Sequence, residues 1–117
     1  MIDLSDEINS ILVEFNKDVQ DLQGEIAEEV AKEAVEKLKQ TSPKRRGKYA
    51  KGWAKRKNGN SYVIYNRTYP GLTHLLEHGH ATRKPGKRVK AIVHIKPVED
   101  FVIDEYPKRL KQEIEKL

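Results

Sequence analysis

From Leu4 to Leu38 an apolar residue recurs every three or four positions, through Ile8, Ile11, Leu12, Phe15, Val19, Leu22, Ile26, Val30 and Ala34. That spacing lays one apolar stripe along a helix of 3.6 residues per turn, with acids and lysines opposite. Asp3 and Ser5 are suited to cap its start. Thr41-Ser42-Pro43 ends it, because proline disfavours helical geometry in the residue before it. Length is the constraint. Residues 4 to 40 as one helix span roughly 55 Å at a rise of about 1.5 Å per residue. A compact chain of this size has a radius of gyration of about 13 Å, hence a diameter of roughly 35 Å. An unbroken helix overshoots that body. Either the helix breaks near Gly24, its poorest helix former, and folds back on its own sheet, or its first half projects. In the second case Leu4, Ile8, Ile11, Phe15 and Val19 form a stripe for packing on another subunit.

The remaining segments predict a small antiparallel sheet covered by helices. Tyr49, Lys51 and Trp53 alternate with Ala50, Gly52 and Ala54 as a first strand, and Ser61 to Arg67 is rich in β-formers. Asn58-Gly59 between them is a type I′ turn signal. Thr68-Tyr69-Pro70-Gly71 turns into a short helix from Leu72 to His78, closed by Gly79. An exposed basic loop follows from His80 to Arg88, then a strand from Val89 to Ile95 with Val89, Ala91, Val93 and Ile95 on one face. Pro97 suits the first turn of a last helix, whose stripe runs through Val98, Val102, Tyr106, Leu110, Ile114 and Leu117, with a kink expected at Pro107. The fold class is therefore α+β, in a single domain over residues 1–117: a long N-terminal helix, three to four strands including a hairpin, a short middle helix and a C-terminal helix.

Charge is distributed in blocks. Residues 1–40 hold eleven acids and four bases, a balance of −7, whereas residues 41–97 hold fifteen bases and the single acid Glu77, a balance of +14. An acidic arm joined to a basic body implies complementarity between copies, or a nucleic acid near the body; solvated faces are the plain alternative. The chain has no cysteine, which excludes disulfides and thiolate metal sites. Its acidic start, Met1-Ile2-Asp3-Leu4-Ser5-Asp6-Glu7, reads neither as a signal peptide nor as a membrane anchor, so no membrane partner is expected and synthesis is cytoplasmic.

One motif tempts a catalytic reading. His74-Leu75-Leu76-Glu77-His78 matches the H-x-x-E-H pattern of inverted zinc peptidases, and His80 lies near enough in sequence to be a third ligand. However, Gly79 ends the helix within a turn and no carboxylate-rich segment follows, so a capped surface helix is the better reading and no cofactor is expected. Two basic clusters stand out. Lys44-Arg45-Arg46, Lys48, Lys51 and Lys55-Arg56-Lys57 interleave with Tyr49 and Trp53, while Arg83, Lys84, Lys87, Arg88 and Lys90 line the loop. Both suit non-specific phosphate contact, and no nucleic-acid-binding signature accompanies them. For Tyr49 and Trp53 core packing is the alternative to stacking on bases. A ribonuclease toxin would need an acid and a base, and Glu77 with the four histidines assembles no convincing pair.

In order along the chain, these segments resemble a known family. Pro43-Lys44-Arg45-Arg46-Gly47-Lys48-Tyr49 is similar to the P-x-x-T-G-x-L segment of siphophage head–tail joining proteins, also called tail-component or tail-completion proteins of the lambdoid type. Asn66 to Pro70 resembles that family's second strand and turn, Leu76-Glu77-His78-Gly79-His80 its E-x-G-T signature, and His94 to Val98 its proline-bearing junction into the last helix. Arg46 and His80 stand where the family commonly has threonine or a similar small residue. Pro43, Gly47, Glu77, Gly79 and Pro97 are the family-like positions. The resemblance implies a non-enzymatic virion protein at the neck or tail, assembled in the host cytoplasm. It also implies ring oligomers and partners among other phage neck and tail proteins, with DNA passing through. The runner-up is a small basic nucleic-acid-binding protein or ribonuclease toxin.

Overall fold

The computed structural model describes residues 3–44 and 47–117; Arg45 and Arg46 of the first basic cluster lie outside the described residues. The apolar stripe forms one helix, α1 (Ser5–Thr41), that runs unbroken through Gly24. Leu4 precedes it, and the Asp3 carboxylate accepts the backbone N–H of Ser5 at 2.9 Å. The end falls where proline requires it, with Ser42 in an extended conformation ahead of Pro43. The molecule is consequently long, 83 × 26 × 21 Å, with a radius of gyration of 20.8 Å. That exceeds the compact value of about 13 Å by half.

The break expected near Gly24 does not occur, for two physical reasons. A single glycine costs a helix about 1 kcal/mol against alanine, too little to stop a run with favourable residues on both sides. The missing side chain also has a use. A Cβ at Gly24 would lie 3.3 Å from the Asn60 Oδ1, and Asn60 Nδ2 donates to the Gln20 carbonyl at 3.2 Å. The tip of the hairpin thus rests against α1 where the arm leaves the body.

Residues Lys48–Lys51 form a single helical turn, α2, rather than the start of a strand. Gly47 precedes it with a φ of 78°, and Gly52 closes it. The strand proper, β1 (Trp53–Asn58), pairs antiparallel with β2 (Ser61–Asn66), Trp53 opposite Asn66 and Asn58 opposite Ser61. Two residues therefore make the turn, Gly59 and Asn60, and only Gly59 has positive φ, at 62°. This is the II′ pattern, one residue later than the Asn58-Gly59 signal suggested.

α3 (Leu72–His78) lies where the turn before it and Gly79 after it put it, and α4 (Lys96–Glu115) where periodicity does, continuing through Pro107 with Pro97 in its first turn. The third strand shrinks. Only Arg88–Val89 (β4) pairs, with His80–Ala81 (β3), and the two pairs of strands make separate two-stranded sheets. Val89 and Val93 are exposed, so the expected inward face of Val89, Ala91, Val93 and Ile95 does not form. The core joins the second half of α1 to the rest: Ala34, Val35, Leu38, Tyr49, Trp53 and Val98, with Ile64, Leu76, Ile95 and Val102 packed around them. α4 runs antiparallel to α1. Near its far end Arg109 Nη1 meets Glu29 at 2.9 Å, the guanidinium also pairs with Glu33, and Nε donates to Glu105 at 3.0 Å.

Candidate functional site

Two surfaces and one buried network account for the residues singled out by sequence. The network is built on Glu77, one of the family-like positions. α3 carries Glu77 into the interior, where it is 8% exposed. Its Oε1 accepts the backbone N–H of His94 at 2.8 Å and of Ile95 at 2.9 Å, and Oε2 accepts that of Lys96 at 2.9 Å. These N–H groups stand at the start of α4, where the first turn has no intrahelical acceptors and the helix dipole favours negative charge. Glu77 is a remote cap. Burial alone would raise its pKa, but the three backbone donors, helped by His94, outweigh burial and hold it below the ordinary carboxylate value.

His94, 1% exposed, completes the network. Its Nδ1 faces the Ile92 carbonyl at 2.8 Å, with Glu77 Oε1 3.1 Å away, so Nδ1 carries a proton, and Nε2 shares a hydrogen bond with the Tyr49 hydroxyl at 2.7 Å. Burial and then the Glu77 charge push the Tyr49 phenol up to about 12. Trp53 Nε1 donates to Ser42 Oγ at 2.8 Å, and its ring meets Tyr49 edge-on with centroids 5.7 Å apart. Tyr49 and Trp53 are thus core residues, at 7% and 6% exposure, and not a stacking platform for bases.

Gly79 is fixed by two demands. Its φ of 72° lies in the region glycine favours, and a Cβ there would come within 2.5 Å of the Val89 carbonyl oxygen. The E-x-G pair therefore does one structural job: Glu77 caps α4 while Gly79 lets β4 cross against the end of α3. Pro43 and Gly47 line an open groove of about 320 Å³ with Tyr49, Tyr69, Leu72 and Leu76.

The histidine reading does not assemble. His74 and His78 lie with ring centroids 4.7 Å apart, but the Glu77 carboxylate between them in sequence is taken up by α4. His80 Nδ1 is buried and has no hydrogen-bond partner among the described residues. Among the described residues no group of three or more His, Cys, Asp or Glu could hold a metal ion.

The first surface is the basic loop. Arg83, Lys84, Lys87, Arg88 and Lys90 are all exposed. The loop is a small hairpin: Thr82 donates from its N–H and its hydroxyl to the Lys87 carbonyl, at 3.0 and 2.9 Å, and Gly86 has a φ of 77°. The second surface is the arm. Leu4, Ile8, Ile11 and Phe15 are 54%, 54%, 65% and 45% exposed, although they continue the stripe that is buried from Ile26 onward. Val19, nearest the body, is half-buried. No helix among the described residues is long and apolar enough to cross a membrane.

Sequence reasoning missed Asn66 and Gly52. Asn66, 2% exposed, donates to the Tyr49 carbonyl at 2.8 Å and accepts from the Thr68 and Tyr69 N–H groups. A Cβ at Gly52 would collide with Thr68 Oγ1. The N-R-T-Y-P segment was a visible signal, but only the fold reveals that its first residue is interior.

The described structure is thus a long helix with a bare apolar end, a small capped body and a basic hairpin. Residues 6–79 match the model of the family described as "Bacteriophage HK97-gp10, putative tail-component", and the chain belongs to that family. It is a structural phage protein, a virion tail component that meets other tail proteins. The matched span takes in α1, the β1–β2 hairpin, α3 and Gly79, and stops short of the Pro97 junction. No curated protein and no solved structure matches the chain.

Proposed function

We propose that the chain acts as one domain at the head–tail junction of a long-tailed phage or prophage, in tail completion or head–tail joining. It works without catalysis, as a ring of copies assembled in the host cytoplasm. The observation that carries this reading is the bare stripe. An apolar face from Leu4 to Phe15, standing clear of its own body, is unfavourable in water and is stabilised when a neighbour covers it. Rings need interfaces in which one surface meets a different surface on the next copy, and an arm and a body of opposite charge supply such a pair. The basic loop, Arg83, Lys84, Lys87, Arg88 and Lys90, serves as the docking or lumen-facing element, where non-specific contact with passing DNA is electrostatic.

The competing reading is a nucleic-acid-binding module or ribonuclease toxin. It loses its best pieces to the core: Tyr49, Trp53 and His94 are buried, and Glu77 is committed to α4. Sedimentation velocity of the purified chain at low and high salt tests the ring proposal. Self-association that weakens as salt rises supports it, and a monomer at every concentration and salt refutes it.

A further inference from the structure

The β1–β2 hairpin has a covered face and an open one. Ile64 packs into the core and Tyr62 lines the groove shared with α1 and α4. Side chains alternate along a strand, so Val63 and Tyr65 point the other way. Opposite them on β1 stand Arg56 and Ala54, the Arg56 guanidinium 5.8 Å from the centre of the Tyr65 ring. Val63 and Tyr65 are 39% and 37% exposed. The sheet thus carries helices on its inner face, and its outer face has no second layer among the described residues.

The arm has the chemistry to supply that layer. Residues 47–67 carry six bases and no acid, whereas residues 3–22 carry six acids and one base. At about 100° per residue, four acids of the helical arm, Glu7, Glu14, Asp18 and Asp21, fall on one flank of the apolar stripe, while Asp6 lies on the side opposite the stripe. Asn9, Asn16, Gln20 and Gln23 occupy the other flank. Such a helix suits a surface that is apolar at its centre and basic at one side. The dimensions agree: residues 5–22 extend about 27 Å as helix, and a six-residue strand about 20 Å. Pairing of two arms would bring like charges together, whereas arm on hairpin brings opposite ones together.

We propose that the acidic arm of one copy seats on the outer face of the β1–β2 hairpin of the next, its apolar stripe over Val63 and Tyr65 and its acids toward Arg56 and Arg67. The proposal rests on the ring reading above and names the interface that closes each step. Its test uses the full chain in two charge-reversed forms. One is Glu7→Lys with Glu14→Lys and Asp18→Lys; the other is Arg56→Glu with Arg67→Glu. All five positions are exposed, and unchanged circular dichroism and thermal midpoints confirm folding. Each variant alone self-associates at least roughly tenfold more weakly than wild type, and an equimolar mixture regains association, because each reversed arm then meets an oppositely charged hairpin.

A second measurement does not depend on charge. The chain has no cysteine, so Phe15→Cys combined with Val63→Cys reports one contact. Oxidation gives a ladder of linked copies from the double variant and none from either single variant. Dimers from Phe15→Cys alone would mean arm-to-arm pairing and overturn the proposal. Wild-type association unmoved by either reversal overturns it while leaving the ring intact. A monomeric wild type removes the ring and the proposal together. If Arg56→Glu with Arg67→Glu weakens binding of a DNA duplex but not self-association, the hairpin is a nucleic-acid surface and the proposal fails.

Discussion

The Glu77 carboxylate and the Lys96 backbone nitrogen, nineteen residues apart in sequence, lie 2.9 Å apart at the first turn of α4. With His94 and Ile95 donating to the other oxygen, one side chain of the middle helix organises the start of the last helix. This places the only acid of the basic block where its charge is needed for folding.

Replacing Glu77 with glutamine keeps two polar atoms but supplies one acceptor and no charge. Hydrogen bonds to charged groups contribute about 1.5–3 kcal/mol, so Glu77→Gln destabilises by about that amount in urea unfolding. The pH dependence has a definite sign. The folded pKa is depressed below the ordinary 4.5, so this contribution is present above that value and is lost as pH falls through the folded pKa. Wild type therefore loses stability below about pH 4.5, and the loss is smaller in Glu77→Gln.

Gly79→Ala combines positive φ with a Cβ against the Val89 oxygen. At φ 72° and ψ 175° the backbone lies in a region open essentially to glycine alone, which costs another residue about 1–3 kcal/mol before the contact is counted. A fall in stability of about 2–4 kcal/mol is expected, measured by chemical unfolding. A neutral outcome would show that β3 and β4 can part from α3 without loss.

Gly24→Ala goes the other way. The helix gains up to about 1 kcal/mol of propensity, and the 3.3 Å approach is to the end of the exposed Asn60 side chain, which can turn aside. A higher thermal midpoint with unchanged or greater helicity is expected. A lower midpoint would show that the Asn60 contact at the arm's root outweighs propensity.

Periodicity made α1 and α4 legible because each carries an apolar stripe over several turns, whereas the short α3 was marked by the Thr68–Gly71 turn before it and Gly79 after it. The same signal could not decide whether α1 breaks, since a lone glycine bears on conformation by only about 1 kcal/mol. The Tyr49–Ala54 alternation misled, because Tyr49, Ala50 and Trp53 also share one face of a single turn entering a strand. The Val89–Ile95 run has strand composition, but Glu77 takes the N–H groups of His94 and Ile95, and Ile92 donates its own to Leu76 at 2.7 Å. Long-range partners of this kind leave no periodic trace. Glu77 and Gly79 were visible as a motif, and their mechanical role was not.

The proposed docking role of the basic loop can be tested apart from folding. Arg83, Lys84, Lys87 and Arg88 are exposed, and the loop is closed by Thr82 and Gly86 rather than by its charges. Reversing all four to glutamate leaves the thermal midpoint nearly unchanged and blocks the joining of heads to tails, counted as infectious yield. Normal yield from that variant would remove the loop from the interface.

Cryo-electron microscopy of purified particles at the neck tests the central claim most directly. A ring of copies between head and tail, each with its N-terminal helix reaching onto the adjacent copy, is the expected density. Particles that are complete and infectious with no copy of this chain at the neck would contradict it.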